Sequence, residues 1–362
     1  MSIAPARQVA FDVLDRVDRG GWASDLLLSA TVGLDSRDAG LAFEIVFGAL
    51  RYQAQLDFLI EHYGGRRRLD PEVRGALRMG IYQLRYLERA PAHAVVAESV
   101  ELVKRARKRS AAGMVNAVLR KVDRAPVEWP TREVELSCPE WLLARWERHY
   151  GAEAARAIAL AARQEPEKYM RVSAAGARFQ DIGSQSIVPL LELERGQSYL
   201  DVCAAPGNKT AQALEAGVRA VACDLRFERL LALRGMGAEL VVLDGTRPLP
   251  FARPFDRILV DAPCSGTGTL GRNPEIKWRL HPEDLADLHG RQVALLRRAL
   301  AALAPGGRLV YATCSLEMEE NQQVVAEVAE DREIAVWERI PGRDAGDGFW
   351  AAVIKSNEPA HG

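Results

Sequence analysis

The spacing of apolar residues changes along the chain. In the N-terminal part they recur three and four apart: Val9, Val13, Leu14 and Val17, then again within 41–52, 79–87 and 95–103. That period lays one apolar stripe along a helix, so residues 1–125 are predicted to be an all-α domain. Asp70-Pro71-Glu72 reads as a helix start, with Asp available as a cap and Pro tolerated in the first turn. Beyond residue 198 the runs are short and continuous: Tyr199-Leu200, Ala220-Val221-Ala222-Cys223, Leu240-Val241-Val242-Leu243, Ile258-Leu259-Val260 and Leu309-Val310-Tyr311. Such runs, β-prone and apolar on both faces, suit buried strands. Asp224, Asp244 and Asp261 stand at the ends of three of them. A lone strand-end Asp is most often a turn former or a cap. Its regular return with strand, loop and helix predicts a doubly wound parallel sheet. Between the two patterns, Ala125-Pro126-Val127-Glu128-Trp129-Pro130 reads as a linker, and residues 139–163 as a helical pair.

Composition narrows the class. A length of 362 residues accommodates two domains. Five cysteines without a Cys-x-x-Cys pair or a Cys/His cluster argue against zinc and against a disulfide framework. The start of the chain lacks an apolar signal region, and no run approaches the roughly 18 residues of a membrane span. The expectation is a soluble cytoplasmic protein that needs no metal. The formal net charge of -1 conceals an asymmetry, because residues 51–125 hold 16 Lys or Arg against 8 Asp or Glu, a net of +8. The densest clusters are Arg66-Arg67-Arg68 and the run from Lys104 to Arg109. A charge run is often only a solvated helix face, but this one suits an anionic partner.

Candidate chemistry lies at the strand ends. Asp261-Ala262-Pro263-Cys264-Ser265 and Ala312-Thr313-Cys314-Ser315 each follow an apolar run, where α/β sheets place their ligands. A single free cysteine is usually a buried structural thiol. Two at strand ends, one beside a carboxylate, suggest covalent attack on an electrophilic carbon. A third segment, Asp201-Val202-Cys203-Ala204-Ala205-Pro206-Gly207-Asn208-Lys209-Thr210, reads as a tight turn of small residues opening a helix near Lys209. Small residues let a ligand approach the backbone, so the turn suits a nucleotide-like cofactor. Asp224 is placed to accept from ribose hydroxyls, and Asp244 from an adenine amine. Gly266-Thr267-Gly268-Thr269-Leu270-Gly271 fits Gly-x-Gly-x-x-Gly and leaves a dinucleotide-dependent oxidoreductase open. It belongs to the fourth strand rather than the first and opens no helix.

These motifs resemble the RNA cytosine-C5 methyltransferases of the RsmB/Sun type. The likeness rests on the loop 201–210, the two cysteine motifs, Asn273-Pro274-Glu275-Ile276-Lys277-Trp278, Gln180-Asp181 with Ser184, and Asp347-Gly348-Phe349-Trp350. The N-terminal part resembles the NusB-type RNA-binding fold within 42–51, 91–104 and 115–120. The resemblance implies a Rossmann-like S-adenosylmethionine-dependent methyltransferase domain over 180–357. An all-α NusB-like domain over 1–125 precedes it, with a linker and shortened helical connector over 126–179. It implies S-adenosyl-L-methionine held by Cys203, Ala204, Ala205, Pro206, Gly207, Asn208, Lys209, Asp224, Arg229, Asp244 and Asp261. It also implies that Cys314 adds to C6 of cytosine, that Cys264 assists release, and that Asp261 and Lys209 support the reaction. The implied partner is RNA, 16S rRNA first; a tRNA or another RNA cytosine is the alternative, as is a non-catalytic RNA-binding protein on the same fold.

Two departures from the family stand out. Asn208 replaces a second glycine, which asks for a different turn that Asn accommodates through its tolerance of left-handed backbone. After Tyr169-Met170-Arg171-Val172-Ser173 the family continues into a small α/β subdomain that helps to clamp RNA, whereas this chain reaches Gln180 almost at once.

Overall fold

The computed structural model describes residues 3–173, 176–329 and 331–356. Met1, Ser2 and Asn357, at the outer ends of the expected domains, lie outside the described residues, as do Ala174 and Ala175 within the expected connector. The chain forms two compact units: residues 1–164 with 270–279, and residues 165–269 with 280–362.

The first unit is helical, as the 3.6-residue period dictates. Its longer helices are Pro5–Asp18, Ser36–Arg51, Gln53–Gly64, Pro71–Tyr86 and Ala92–Arg105. They bury Val13, Ile45, Leu56, Leu77, Met79 and Leu102 in one core. Gly48 lets a helix approach closely, since a Cβ there would fall 1.9 Å from the Tyr82 ring. Pro71 opens its helix as expected, but Asp70 makes no side-chain cap; its carboxylate pairs with Lys108 at 3.0 Å instead. Helices Arg132–Leu136, Glu140–Tyr150 and Ala152–Ala161, expected in a connector, also pack with this unit.

Residues 270–279 belong to the first unit, although the sequence reading leaves them within the second domain. The reason is visible at three helix termini, where unpaired backbone groups need partners. Trp278 Nε1 donates to the carbonyl of Leu50, and Lys277 Nζ to that of Arg51, both at 2.9 Å. Arg279 donates to the carbonyls of Val17 and Gly21. Glu275 accepts from the N–H of Ala23, the first residue of helix Ala23–Ala30, at 2.8 Å. The Arg279 cation thus meets one helix C-terminus and the Glu275 carboxylate an N-terminus, each charge placed to oppose the helix dipole.

The second unit opens with an antiparallel hairpin of β1 (Met170–Ser173) and β2 (Gly176–Phe179). The chain therefore spends its shortened segment on a hairpin. The main sheet comprises β3 (Ser198–Asp201), β4 (Arg219–Asp224), β5 (Glu239–Val242), β6 (Phe255–Asp261), β7 (Leu303–Thr313), β8 (Ile334–Arg339) and β9 (Phe349–Lys355). Their order is β5-β4-β3-β6-β7-β9-β8. The pairs from β5 to β7 are parallel, as expected, while β9 runs antiparallel to both β7 and β8. From β3 the chain winds outward through β4 and β5, then returns to β6 on the other side. The C-terminal ends of β3 and β6 therefore flank the switch point at which open α/β sheets bind ligands. No described helix is long and apolar enough to cross a membrane.

Candidate active site

The loop after β3 is built for close approach. Its Gly207 takes φ 104°, and a Cβ there would lie 2.7 Å from the Leu233 side chain. The left-handed position falls on Gly207, and Asn208 begins the helix Asn208–Leu214, so Asn208 needs none of the tolerance the sequence reading gave it. The Ala205–Pro206 peptide is cis. Ala204 and Gly207 are buried, Cys203, Ala205 and Asn208 half-buried and Pro206 exposed. Burial holds the Cys203 thiol well above its usual range, with Asp201 adding to the effect. Asp201 is itself buried and accepts from Thr210 Oγ1 at 2.7 Å and Tyr199 Oη at 3.3 Å. Desolvation pushes its carboxyl up to about 7 despite the Thr210 bond.

Lys209 projects from the first turn of that helix to Asp261 at the end of β6, with Nζ 2.6 Å from Oδ2. The ammonium also lies 5.3 Å from the centre of the Phe349 ring. Burial alone would make Lys209 easier to deprotonate; the Asp261 carboxylate outweighs this and raises its pKa.

The thiols meet because β6 and β7 are parallel neighbours, with Asp261 opposite Ala312. The loops that leave them stay in step: Ala262 N–H donates to the Ala312 carbonyl at 2.8 Å, and Gly268 N–H to the Cys314 carbonyl at 2.9 Å. Cys264 Sγ then lies 3.3 Å from Cys314 Sγ. That hydrogen bond, then burial, then the charge on Cys314 and Glu320, hold the Cys264 thiol well above its usual range. Gly268 is needed for this fit, since a Cβ would sit 2.3 Å from the Gly348 carbonyl oxygen and 2.9 Å from that of Cys314. The middle glycine of the Gly-x-Gly-x-x-Gly pattern is thus accounted for by backbone packing against the Cys314 loop.

The remaining cofactor candidates lie at the ends of β4 and β5 or just beyond. Asp224 spends one oxygen on the Arg226 N–H at 2.9 Å and leaves the other without a donor among the described residues, though it is only 7% exposed. Leu225 and Phe227 follow it with exposed apolar side chains. A carboxylate with a spare acceptor beside exposed apolar surface fits a group that carries hydroxyl and amine donors on a flat ring. Asp244 lies two residues beyond β5 in a turn, where Thr246 Oγ1 and N–H donate to it at 2.6 and 3.0 Å and hold its pKa below the usual range. Arg229 is exposed and reaches the Ala205 carbonyl at 3.3 Å.

Sequence reasoning missed Glu320. It is fully buried and accepts from Ser265 and Ser315, the residues that follow the two cysteines. It stands in the acidic run Glu317-Met318-Glu319-Glu320, where nothing in the sequence distinguishes it from its neighbours.

Residues 188–346 match the family model of 16S rRNA methyltransferase RsmB/F, and residues 4–124 that of the NusB family. A ribosomal RNA small subunit methyltransferase B from Klebsiella pneumoniae subsp. pneumoniae is 32% identical over 421 aligned residues, covering 96% of this chain and 97% of its own. A protein of the same name from Pectobacterium atrosepticum is 33% identical, with 97% and 98% covered. The fold is shared with the crystal structure of PH0851, at a TM-score of 0.80 and 18% identity, covering 98% of this chain and all of the other. Full-length likeness to these methyltransferases at about one-third identity, together with both family matches, places the chain in the RsmB family of ribosomal RNA methyltransferases, with a NusB-type domain ahead of a Rossmann-like, S-adenosylmethionine-dependent methyltransferase domain.

Proposed function

We propose that this protein methylates C5 of a cytosine in 16S rRNA in the cytoplasm, with Cys314 as nucleophile and Cys264 as the residue that permits release. The observation that carries the reading is the pair of sulfurs 3.3 Å apart at the ends of adjacent strands, on the sheet edge that also holds the Lys209–Asp261 ion pair. C5 of cytosine is too weak a nucleophile to take a methyl group unaided. Addition of the Cys314 thiolate to C6 moves an electron pair toward C5 and leaves excess charge on the ring. Asp261, held by Lys209, is the group assigned to N3 and the exocyclic amine, where it steadies that charge. Bound S-adenosylmethionine supplies an electrophilic methyl group; residues 203–209, Asp224, Arg229 and Asp244 are the ones assigned to hold it. Cys264, in contact with the Cys314 sulfur, assists removal of the C5 proton, after which the C6–sulfur bond breaks and returns the pair to Cys314. A stacked cytosine must leave its helix before this chemistry.

The basic N-terminal domain is assigned to the RNA backbone. Lys104, Arg105 and Arg109 line a cleft of about 510 Å³ in that unit, together with Ile3, Gln8 and Glu101. Part of the charge is already used, since Lys104 pairs with Glu101 at 2.7 Å, Arg105 with Asp12 at 3.3 Å and Lys108 with Asp70 at 3.0 Å. Arg107 and Arg109 have no ion pair among the described residues.

The test combines labelled S-adenosylmethionine and 16S rRNA with two variants. Wild type should place label in RNA as 5-methylcytosine. Cys314→Ala should abolish turnover without an adduct, and Cys264→Ala should accumulate a protein–RNA species that survives denaturing gels. The reverse pattern would exchange the two roles, and label found in tRNA alone would overturn the substrate assignment.

A further inference from the structure

Glu320 is a carboxylate with no exposed surface and no Lys, Arg or His partner among the described residues. Such a group is costly to bury unless donors surround it. Four do. Oε1 accepts from the Ser265 N–H at 2.8 Å and from Gln292 Nε2 at 2.9 Å; Oε2 accepts from the hydroxyls of Ser265 and Ser315. Gln292 also donates to the carbonyl of Pro263 at 3.0 Å, on the other side of Cys264. The Glu320 carbonyl receives the Tyr311 hydroxyl at 2.6 Å, which ties it to β7 below Cys314. One side chain therefore holds the residue after each cysteine. An apolar cluster would fill this space without desolvating a charge, but it would give neither serine a direction.

We propose that Glu320 is a positioning residue that fixes the separation and orientation of the Cys264 and Cys314 thiols by bridging their two loops. The proposal rests on the reading of these cysteines as the reacting pair. A carboxylate has enough lone pairs to take all four donors at once. The charge of Glu320 also helps to keep the proton on Cys264.

The test reads sulfur geometry without methyl transfer. The full chain is treated with diamide, and formation of the Cys264–Cys314 disulfide is timed by mass spectrometry. In Glu320→Ala the rate should fall about tenfold or more, equivalent to 1.4 kcal/mol of lost alignment. Glu320→Gln should stay close to wild type, because its oxygen still meets the Ser265 N–H and Gln292 while the rotatable serine hydroxyls accept from the new amide. Cofactor affinity, measured by calorimetry, should be unchanged in both. A wild-type rate in Glu320→Ala with intact cofactor binding overturns the proposal, as does an equal loss in Glu320→Gln. If Glu320→Ala does not fold, the double variant Ser265→Ala/Ser315→Ala answers in its place: slowing supports the bridge, and an unchanged rate overturns it. Absence of methylated 16S rRNA with wild-type protein would instead count against the proposed reaction and leave this sulfur measurement standing.

Discussion

Lys209 is half-buried and Lys277 fully buried, one in each compact unit, and they differ in what meets the ammonium. Lys209 faces the Asp261 carboxylate at 2.6 Å and stays a cation, its pKa raised against the pull of burial. Lys277 faces only the Arg51 carbonyl at 2.9 Å, beside the Trp278 ring at 5.1 Å. With no carboxylate beside it, desolvation brings its pKa down to about 7 against the opposing effect of Cys138, and the positive charges of Arg163 and Arg51 add to the fall. One lysine is kept charged where the proposed chemistry needs a fixed electrostatic pair; the other serves as a hydrogen-bond donor at a helix end and can do so neutral. Burial sets the cost in both regions, and the partner decides the protonation state.

The largest effect should come from removing the partner that separates the two cases. Asp261→Asn leaves Lys209 without its counter-charge and takes away the carboxylate assigned to the cytosine ring. We expect kcat for methyl transfer to fall by about 10²–10³-fold, the usual cost of losing one electrostatic stabiliser. Single-turnover assays on a folded variant would measure it, and a change under tenfold would mean that Asp261 does not face the substrate.

Lys277→Met should have a smaller and opposite consequence. With its folded pKa near 7 and its unfolded value near 10.4, Lys277 binds fewer protons folded than unfolded in that interval. Its contribution to stability therefore rises with pH from about 7 to about 10.4. Met fills similar space without a charge to desolvate, so the urea midpoint at pH 7 should hold or increase and the rise with pH should flatten. Unfolding curves at several pH values would show it. A steep loss of stability at pH 7 would mean that the bond to Arg51 outweighs the burial cost.

The smallest effect carries the contrast to the surface, between cations with and without a partner. Replacing Arg107 or Arg109 with Gln should reduce the salt dependence of RNA affinity by about one counterion each. Replacing Lys104 or Arg105, which already have acidic partners, should change it less. Equal slopes for both sets would mean that the ion pairs open when RNA binds.

Much of the site was legible because its residues sit at strand ends. The apolar runs before Asp261, Cys314 and Asp224 announce strands, and the side chains that follow fall at the sheet's binding edge without further information. The hairpin after Tyr169 was harder: Met170 and Val172 alternate with Arg171 and Ser173 for only four residues, and these apolar side chains, like Phe179, are exposed rather than turned to a core. Residues 270–279, which the sequence keeps in the methyltransferase domain, pack with the first unit for another reason. Arg279, Lys277 and Trp278 act on backbone carbonyls, and any helix end can supply those, so no local signal names the unit they join. Asp70 shows the same limit, since its sequence setting promises a cap and a lysine far along the chain takes its carboxylate.

The sequence by itself determined the two kinds of architecture, the tight turn of small residues after Asp201, and the pair of cysteine motifs, because periodicity, turn chemistry and residue type are local properties. Only the tertiary structure decided that Cys264 and Cys314 touch, that Lys209 reaches Asp261, and that Glu320 lies beneath both thiols. These depend on which strands become neighbours and in what register. Strand order is fixed by burial of the whole sheet, a sum over distant residues that no single segment of the chain contains.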